Sequence, residues 1–178
     1  MKKIPSLFVR DFDGDRKCRD EVTPGCEWVL AGEGTATRKW DGTCCLIQEG
    51  KFFKRRTVKP RKKPPRDFVL CETDQNTGKQ FGWVPVTEED KYHTEAWDDS
   101  LPDGTYELVG PKIQGGVEGF RRHQLLRHGA EIINLCERSY AGIREFLLKE
   151  PPIEGIVFWH RDGRKAKVKA SDFAREKK

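Results

Sequence analysis

The chain has 178 residues, enough for one domain with a substantial core, and its hydrophobic and charged shares are equal at 35%. The net charge is +5, no apolar run approaches membrane-spanning length, and Met1-Lys2-Lys3-Ile4-Pro5 leads into no signal-peptide core. These features read against a membrane protein and predict a soluble one, cytoplasmic or otherwise intracellular. In chain order, a short helix is predicted near Ser6. The stretch Thr37-Arg-Lys-Trp-Asp-Gly-Thr-Cys-Cys45 then sets strand-like residues on both sides of Asp41-Gly42, a dipeptide that closes hairpins. Gly42–Gln48, a Glu49-Gly50 turn and Lys51–Val58 predict a hairpin, and the prolines of Lys59–Arg66 predict a loop. Gly104–Gly110 predicts a strand flanked by turn residues. A helix follows, capped by Ser139, with Tyr140, Ile143, Phe146 and Leu147 at helical spacing until Pro151. Ile153–His160, the turn Arg161-Asp162-Gly163 and Arg164–Ala170 predict a second hairpin. Strands outnumber irregularly placed helices, so the predicted class is antiparallel α+β, as a single domain over 1–178.

The six cysteines, at 18, 26, 44, 45, 71 and 136, include no Cys-x-x-Cys pair. Adjacent Cys44 and Cys45 would point to opposite faces of a strand, so reduced thiols and no zinc site are expected. Charge is unevenly spread. Lys51, Lys54, Arg55, Arg56, Lys59, Arg61, Lys62, Lys63 and Arg66 follow one another with no acid among them, whereas Glu88–Asp103 is acidic. Such a stripe either tracks a polyanion or forms a solvated loop.

Five short segments carry chemistry when taken together. They are Lys39-Trp40-Asp41-Gly42, Lys54-Arg55-Arg56, Tyr106-Glu107-Leu108-Val109-Gly110, Glu154-Gly155-Ile156-Val157-Phe158 and Lys167-Val168-Lys169. In this order they resemble the motif series of the covalent nucleotidyltransferases, which include ATP-dependent polynucleotide ligases and mRNA capping enzymes. Within that superfamily ATRKWDGTCC (36–45), GTYELVGPKIQGG (104–116) and EGIVFWHRDGRKAKVKASDF (154–173) are most similar to the small stand-alone 5′-3′ RNA ligases known in animals. DNA ligases and capping enzymes typically place an arginine two residues after the Asp-Gly; here that position is Cys44.

The resemblance implies an α+β adenylation domain, with antiparallel sheets flanking a nucleotide cleft. It implies an enzyme that joins RNA 5′-phosphate and 3′-hydroxyl ends through a lysyl-AMP intermediate, using ATP and Mg²⁺ or Mn²⁺. Lys39 is the implied nucleophile. A lysine amine attacks only when neutral, yet free lysine titrates near ~10.4; cations at Lys167 and Lys169, with a metal, are expected to depress it. Lys167 and Lys169 alternate along a strand and so share a face, where the α-phosphate would offset their repulsion. By resemblance Glu107 contacts the AMP ribose and Glu154 holds the divalent ion directly or through water. Gly42 lies in the nucleotide loop, and Asp41 either orients the site or simply makes the turn. Arg55 matches an arginine that reaches a nucleic-acid phosphate, with Lys54 and Arg56 as register alternatives. Phe120, His123 and His128 are candidates for stacking on adenine. The chain runs nine residues past Lys169, so no OB-fold domain is expected, and the basic stretch from Lys51 to Arg66 is expected to grip RNA instead. The alternatives are a DNA nick-sealing ligase, a capping-like nucleotidyltransferase, and a nucleotide- or RNA-binding module without turnover.

Overall fold

The computed structural model describes residues 2–149 and 153–173. In chain order the strands are β1 (Phe8–Arg10), β2 (Cys18–Val22), β3 (Thr35–Lys39), β4 (Thr43–Gln48), β5 (Lys51–Val58) and β6 (Val69–Thr73). They continue as β7 (Gln80–Pro85), β8 (Gly104–Val109), β9 (Gln124–Arg127), β10 (Gly155–Trp159) and β11 (Lys165–Lys169). The helices are α1 (Glu27–Leu30), α2 (Lys91–Ala96) and α3 (Tyr140–Leu148). Two compact units result: Met1–Lys3 with Asp41–His128, and Ile4–Trp40 with Gly129–Lys178.

The first unit is built on a six-stranded antiparallel sheet in the order β6-β7-β5-β4-β8-β9. At its centre, β4 and β5 form the hairpin that the Glu49-Gly50 dipeptide predicts. Gln48 pairs with Lys51, and Glu49 and Gly50 both have positive φ (52° and 69°), the backbone of a two-residue turn whose twist matches the strands. Alternation then assigns the faces. Cys45, Ile47, Tyr106 and Leu108 are buried on one face with Ala96 of α2, and Phe52, Tyr92 and Trp97 pack against them. Full burial of a side chain such as Ile47 or Leu108 contributes about 1.5–3 kcal/mol. Cys44, Leu46, Phe53, Arg55 and Glu107 point to the other face.

In the second unit, β11-β10-β3 form a three-stranded antiparallel sheet and β1-β2 a two-stranded one. One face of the larger sheet presents Ala36, Ile156, Phe158, Ala166 and Val168 to a core completed by Phe8, Trp28, Ile143, Leu147 and Phe173. The helix α3 joins this core because Ile143 and Leu147, four residues apart, lie on one side. Its first turn is capped as predicted, the Ser139 hydroxyl accepting the Gly142 N–H at 3.1 Å. Pro151, the expected helix stop, lies outside the described residues.

Two expectations are corrected. The predicted helix near Ser6 is an extended segment: the Leu7 N–H donates to the Lys167 carbonyl and the Lys167 N–H to the Pro5 carbonyl, covering the edge of β11. The α+β adenylation-domain class is also overturned, because the described residues form a β-rich fold dominated by antiparallel sheets. The three helices have four, six and nine residues, too short to make a layer of their own. The reason lies in the connections, where Pro60, Pro64, Pro65, Pro102, Pro111, Gly115 and Gly116 interrupt any helical run.

Candidate functional site

The three-stranded sheet of the second unit has one apolar and one polar face. In register, Lys39, Gly155 and Lys169 form a row across β3, β10 and β11, and Thr37, Val157 and Lys167 form the next. Side chains two apart on a strand share a face, so Lys39, Lys167 and Lys169 stand on the same surface. Gly155 leaves the middle of the first row open, and it is glycine for a steric reason as well. A Cβ there would meet the Val168 carbonyl oxygen at 2.2 Å and the Lys169 Cα at 2.9 Å.

Glu154 sits just before β10 and uses both carboxylate oxygens on this row. Lys39 Nζ donates to Oε2 at 2.5 Å and Lys169 Nζ to Oε1 at 2.6 Å. All three side chains are mostly buried, Glu154 most of all at 13% exposure. Lys167 lies beside them. Burial, then the charges of Lys39 and Lys169, push its ammonium down to about 8, against weaker support from Asp172 and Glu154. Three lysines around one carboxylate leave a surplus of positive charge at a half-buried place, which a phosphate-bearing ligand would neutralise. Below the row, Thr37 Oγ1 donates to the Val157 carbonyl at 3.0 Å and accepts the Trp159 Nε1–H at 2.9 Å. Lys165 Nζ rests over the Trp159 ring, 4.2 Å from its centroid. Thr37, Lys165 and Trp159 are assigned no role by the sequence, and the strand register places them on the lysine face.

Glu154 is the residue expected to hold a metal. Among the described residues it belongs to no group of three ligand-capable side chains. A hard divalent ion near it would take most of its ligands from water and phosphate, the usual habit of Mg²⁺.

In the first unit a second row crosses the sheet. Trp83 pairs with Arg55, Cys44 with Glu107, and Glu107 with Leu126, with Cys44 flanked by Arg55 on β5. Glu107, 9% exposed, accepts a hydrogen bond from His128 Nε2 at 2.7 Å. Arg55 hydrogen-bonds the Cys44 thiol and lies over Phe81 and Trp83, 5.2 and 5.8 Å from their centroids. Burial and then Glu107 push that thiol up to about 12, so it is protonated at neutral pH. The register separates the three basic candidates. Arg55 shares the face of Glu107, whereas Lys54 and Arg56 alternate to the opposite face and Lys54 pairs with Asp90.

Asp41 and Gly42 close no hairpin among the described residues. The strand β3 pairs with β10, β4 pairs with β5 and β8, and neither turn residue has positive φ. The loop is held instead by Glu118, whose carboxylate accepts the Asp41 N–H at 2.7 Å, and by Gln114 Nε2, which donates to the Gly42 carbonyl at 3.2 Å. A Cβ on Gly42 would meet the Leu108 carbonyl oxygen at 2.3 Å and Glu107 Cγ at 2.7 Å, so the loop passes tight against β8. Of the stacking candidates, His123 is buried, stacked on Tyr92 at 4.6 Å and paired with Glu95 at 3.0 Å; His128 holds Glu107; Phe120 is half-buried. The basic residues from Lys59 to Arg66 lie exposed in the connection between β5 and β6.

No helix among the described residues is long and apolar enough to cross a membrane. No protein-family model matches the chain, and no curated protein matches it.

Proposed function

We propose that the chain is an ATP-dependent RNA ligase that joins 5′-phosphate and 3′-hydroxyl ends, with Lys39 as the residue that carries AMP. The observation that supports this reading best is the lysine row: Lys39 and Lys169 share the Glu154 carboxylate at 2.5 and 2.6 Å, with Lys167 alongside. The motif resemblance named Lys39, Glu154, Lys167 and Lys169 from separate parts of the chain, and strand pairing gathers them on one face.

In the proposed reaction the Lys39 Nζ–phosphorus bond forms as the bond from the α-phosphorus to the departing pyrophosphate breaks. The Lys39 ammonium must first release a proton, and Glu154 Oε2 is within reach to pass it on to solvent, which leaves the carboxylate charged. Incoming phosphate then replaces Glu154 as the partner of Lys169, while Lys167 offsets the charge gathering on the phosphate oxygens. Glu154 is the residue to hold Mg²⁺ or Mn²⁺, whose chemistry is to neutralise the triphosphate. Glu107, fixed by His128, is proposed for the AMP ribose, with Asp41 and Gly42 in the nucleotide loop. On the same reading Arg55 takes the RNA 5′-phosphate, the basic connection tracks the RNA backbone, and the free thiols of all six cysteines suit a reducing, intracellular setting.

Incubation with α-labelled ATP and Mg²⁺, followed by denaturing electrophoresis, tests the reading. Label retained by the protein is expected, with RNA ends joined afterwards. Label from GTP would indicate a capping-type enzyme, sealing of DNA nicks alone a DNA ligase, and ATP binding without retained label a non-catalytic module.

A further inference from the structure

The row on the six-stranded sheet holds a cluster that the lysine chemistry does not use in full. Cys44 Sγ, a Glu107 carboxylate oxygen and a His128 ring nitrogen lie within 4.8 Å of one another. Among the described residues it is the one group of three side chains of metal-ligating type. We propose that Cys44, Glu107 and His128 form a site for Zn²⁺ or a similar borderline transition metal, distinct in chemistry from the hard-ion role of Glu154.

Three observations carry this. The geometry is preset by the sheet, since Cys44 and Glu107 are direct cross-strand partners on β4 and β8, and His128 follows β9 beside them. All three groups are withdrawn from bulk water: side-chain exposure is 11% for Glu107 and 15% for His128, and Cys44 is half-buried. The ring of His128 is not saturated by the protein either, because its Nδ1 is buried with no hydrogen-bond partner.

The donor set selects the metal. One thiolate sulfur, one imidazole nitrogen and one carboxylate oxygen suit Zn²⁺ and its neighbours and disfavour Mg²⁺, which takes oxygen. Three protein ligands leave a fourth tetrahedral position for water or substrate. Binding converts the Cys44 thiol to a zinc thiolate with release of one proton, and takes up the lone pair of the unpartnered His128 ring nitrogen. Residues 44, 107 and 128 are too far apart in the chain for any spacing motif, so only the fold brings them together.

The test uses the full chain, stripped with chelator and titrated with Co²⁺ as a spectroscopic stand-in for Zn²⁺. One equivalent should produce the intense visible bands of four-coordinate cobalt and a near-ultraviolet thiolate-to-cobalt band, and Zn²⁺ should bleach both. Cys44→Ser should remove the thiolate band, while Cys71→Ser and Cys136→Ser keep it. Glu107→Gln and His128→Ala should each weaken cobalt binding by about 100-fold, the upper end of what even outer partners of metal ligands cost. X-ray absorption on the unsubstituted, zinc-loaded chain should show one sulfur near ~2.3 Å with nitrogen and oxygen near ~2.0–2.1 Å. A zinc shell without sulfur, or a thiolate band that survives in Cys44→Ser, would overturn the site. None of these readouts involves ATP or RNA, so failure of the metal site and failure of the ligase reading are distinguishable although both use Glu107.

Discussion

Replacing Lys167 with Met removes a charge that the fold tolerates poorly, and the pH dependence of stability should reveal it. Lys167 titrates at about 8 in the folded chain against 10.5 when unhindered, because it is largely buried and faces the cations Lys39 and Lys169. The two anions beside it, Asp172 and Glu154, offset this only in part. The folded pKa lies below the unfolded one, so between about 8 and 10.5 the unfolded chain binds more protons and stability rises with pH. At about 1.36 kcal/mol per pH unit, the whole window corresponds to roughly 3 kcal/mol, of which about 1 kcal/mol is gained from pH 8 to 9. From about pH 8 upward the buried thiols oppose this trend. Cys18, Cys26, Cys44 and Cys45 all have folded pKa values raised by burial, so there the unfolded chain is the one that has lost protons. Because the thiol contribution is common to both proteins, urea unfolding followed by circular dichroism is read as the stability of the parent minus that of Lys167→Met, which should rise by about 1 kcal/mol from pH 8 to 9. Lys167→Met should be the more stable protein at pH 7, and its advantage should shrink by about that amount between pH 8 and 9. A parent-minus-variant difference that does not change between pH 7 and 9 would refute the placement of this charge.

Other perturbations address other parts of the structure. Gly155→Ala should cost about 1–3 kcal/mol in a denaturation midpoint, because its Cβ would meet the Val168 carbonyl at 2.2 Å. Arg55→Ala should keep self-labelling but slow AMP transfer to 5′-phosphorylated RNA by roughly ten- to 150-fold, the worth of a charge-assisted hydrogen bond of about 1.5–3 kcal/mol. An equal loss in Arg56→Ala would contradict the face assignment on β5. Neutralising Lys59, Arg61, Lys62 and Lys63 together should flatten the salt dependence of RNA binding by about 0.7 in slope per lost contact, while leaving ATP labelling intact. An unchanged slope would make the exposed connection a solvated loop.

Local signals were strongest where the turn chemistry was explicit. Glu49-Gly50 and Arg161-Asp162-Gly163 mark the two hairpins, β4 with β5 and β10 with β11, within a residue or two of the observed bounds. The Ser139 cap and the Ile143–Leu147 spacing mark α3 for the same reason. Strands without a clean alternation were not legible. In β7, Gly82 and Pro85 break the pattern, and Gly82 is needed because the Val69 carbonyl would lie 2.3 Å from a Cβ. In β6 a register shift between Leu70 and Glu72 does the same. Asp41-Gly42 misled for a different reason: its glycine answers to crowding by β8, not to a positive φ. The α+β class failed because the irregularly placed helices are too short to make a layer, at four, six and nine residues. At the candidate site, Lys39, Glu154, Lys167 and Lys169 were legible as residues, but Glu154 as the shared partner of two lysines was not. Nor was His128 as the partner of Glu107, twenty-one residues away and joined to it only by pairing of β8 with β9.

The most direct measurement is peptide mapping by mass spectrometry after incubation of the full chain with ATP and Mg²⁺. The lysine row predicts one adenylate on the peptide containing Lys39, no guanylate when GTP replaces ATP, and no adduct after chelation or in Lys39→Ala and Lys39→Arg, since a guanidinium stays protonated and does not attack. An adenylate on any other residue, or none at saturating ATP, would contradict the account.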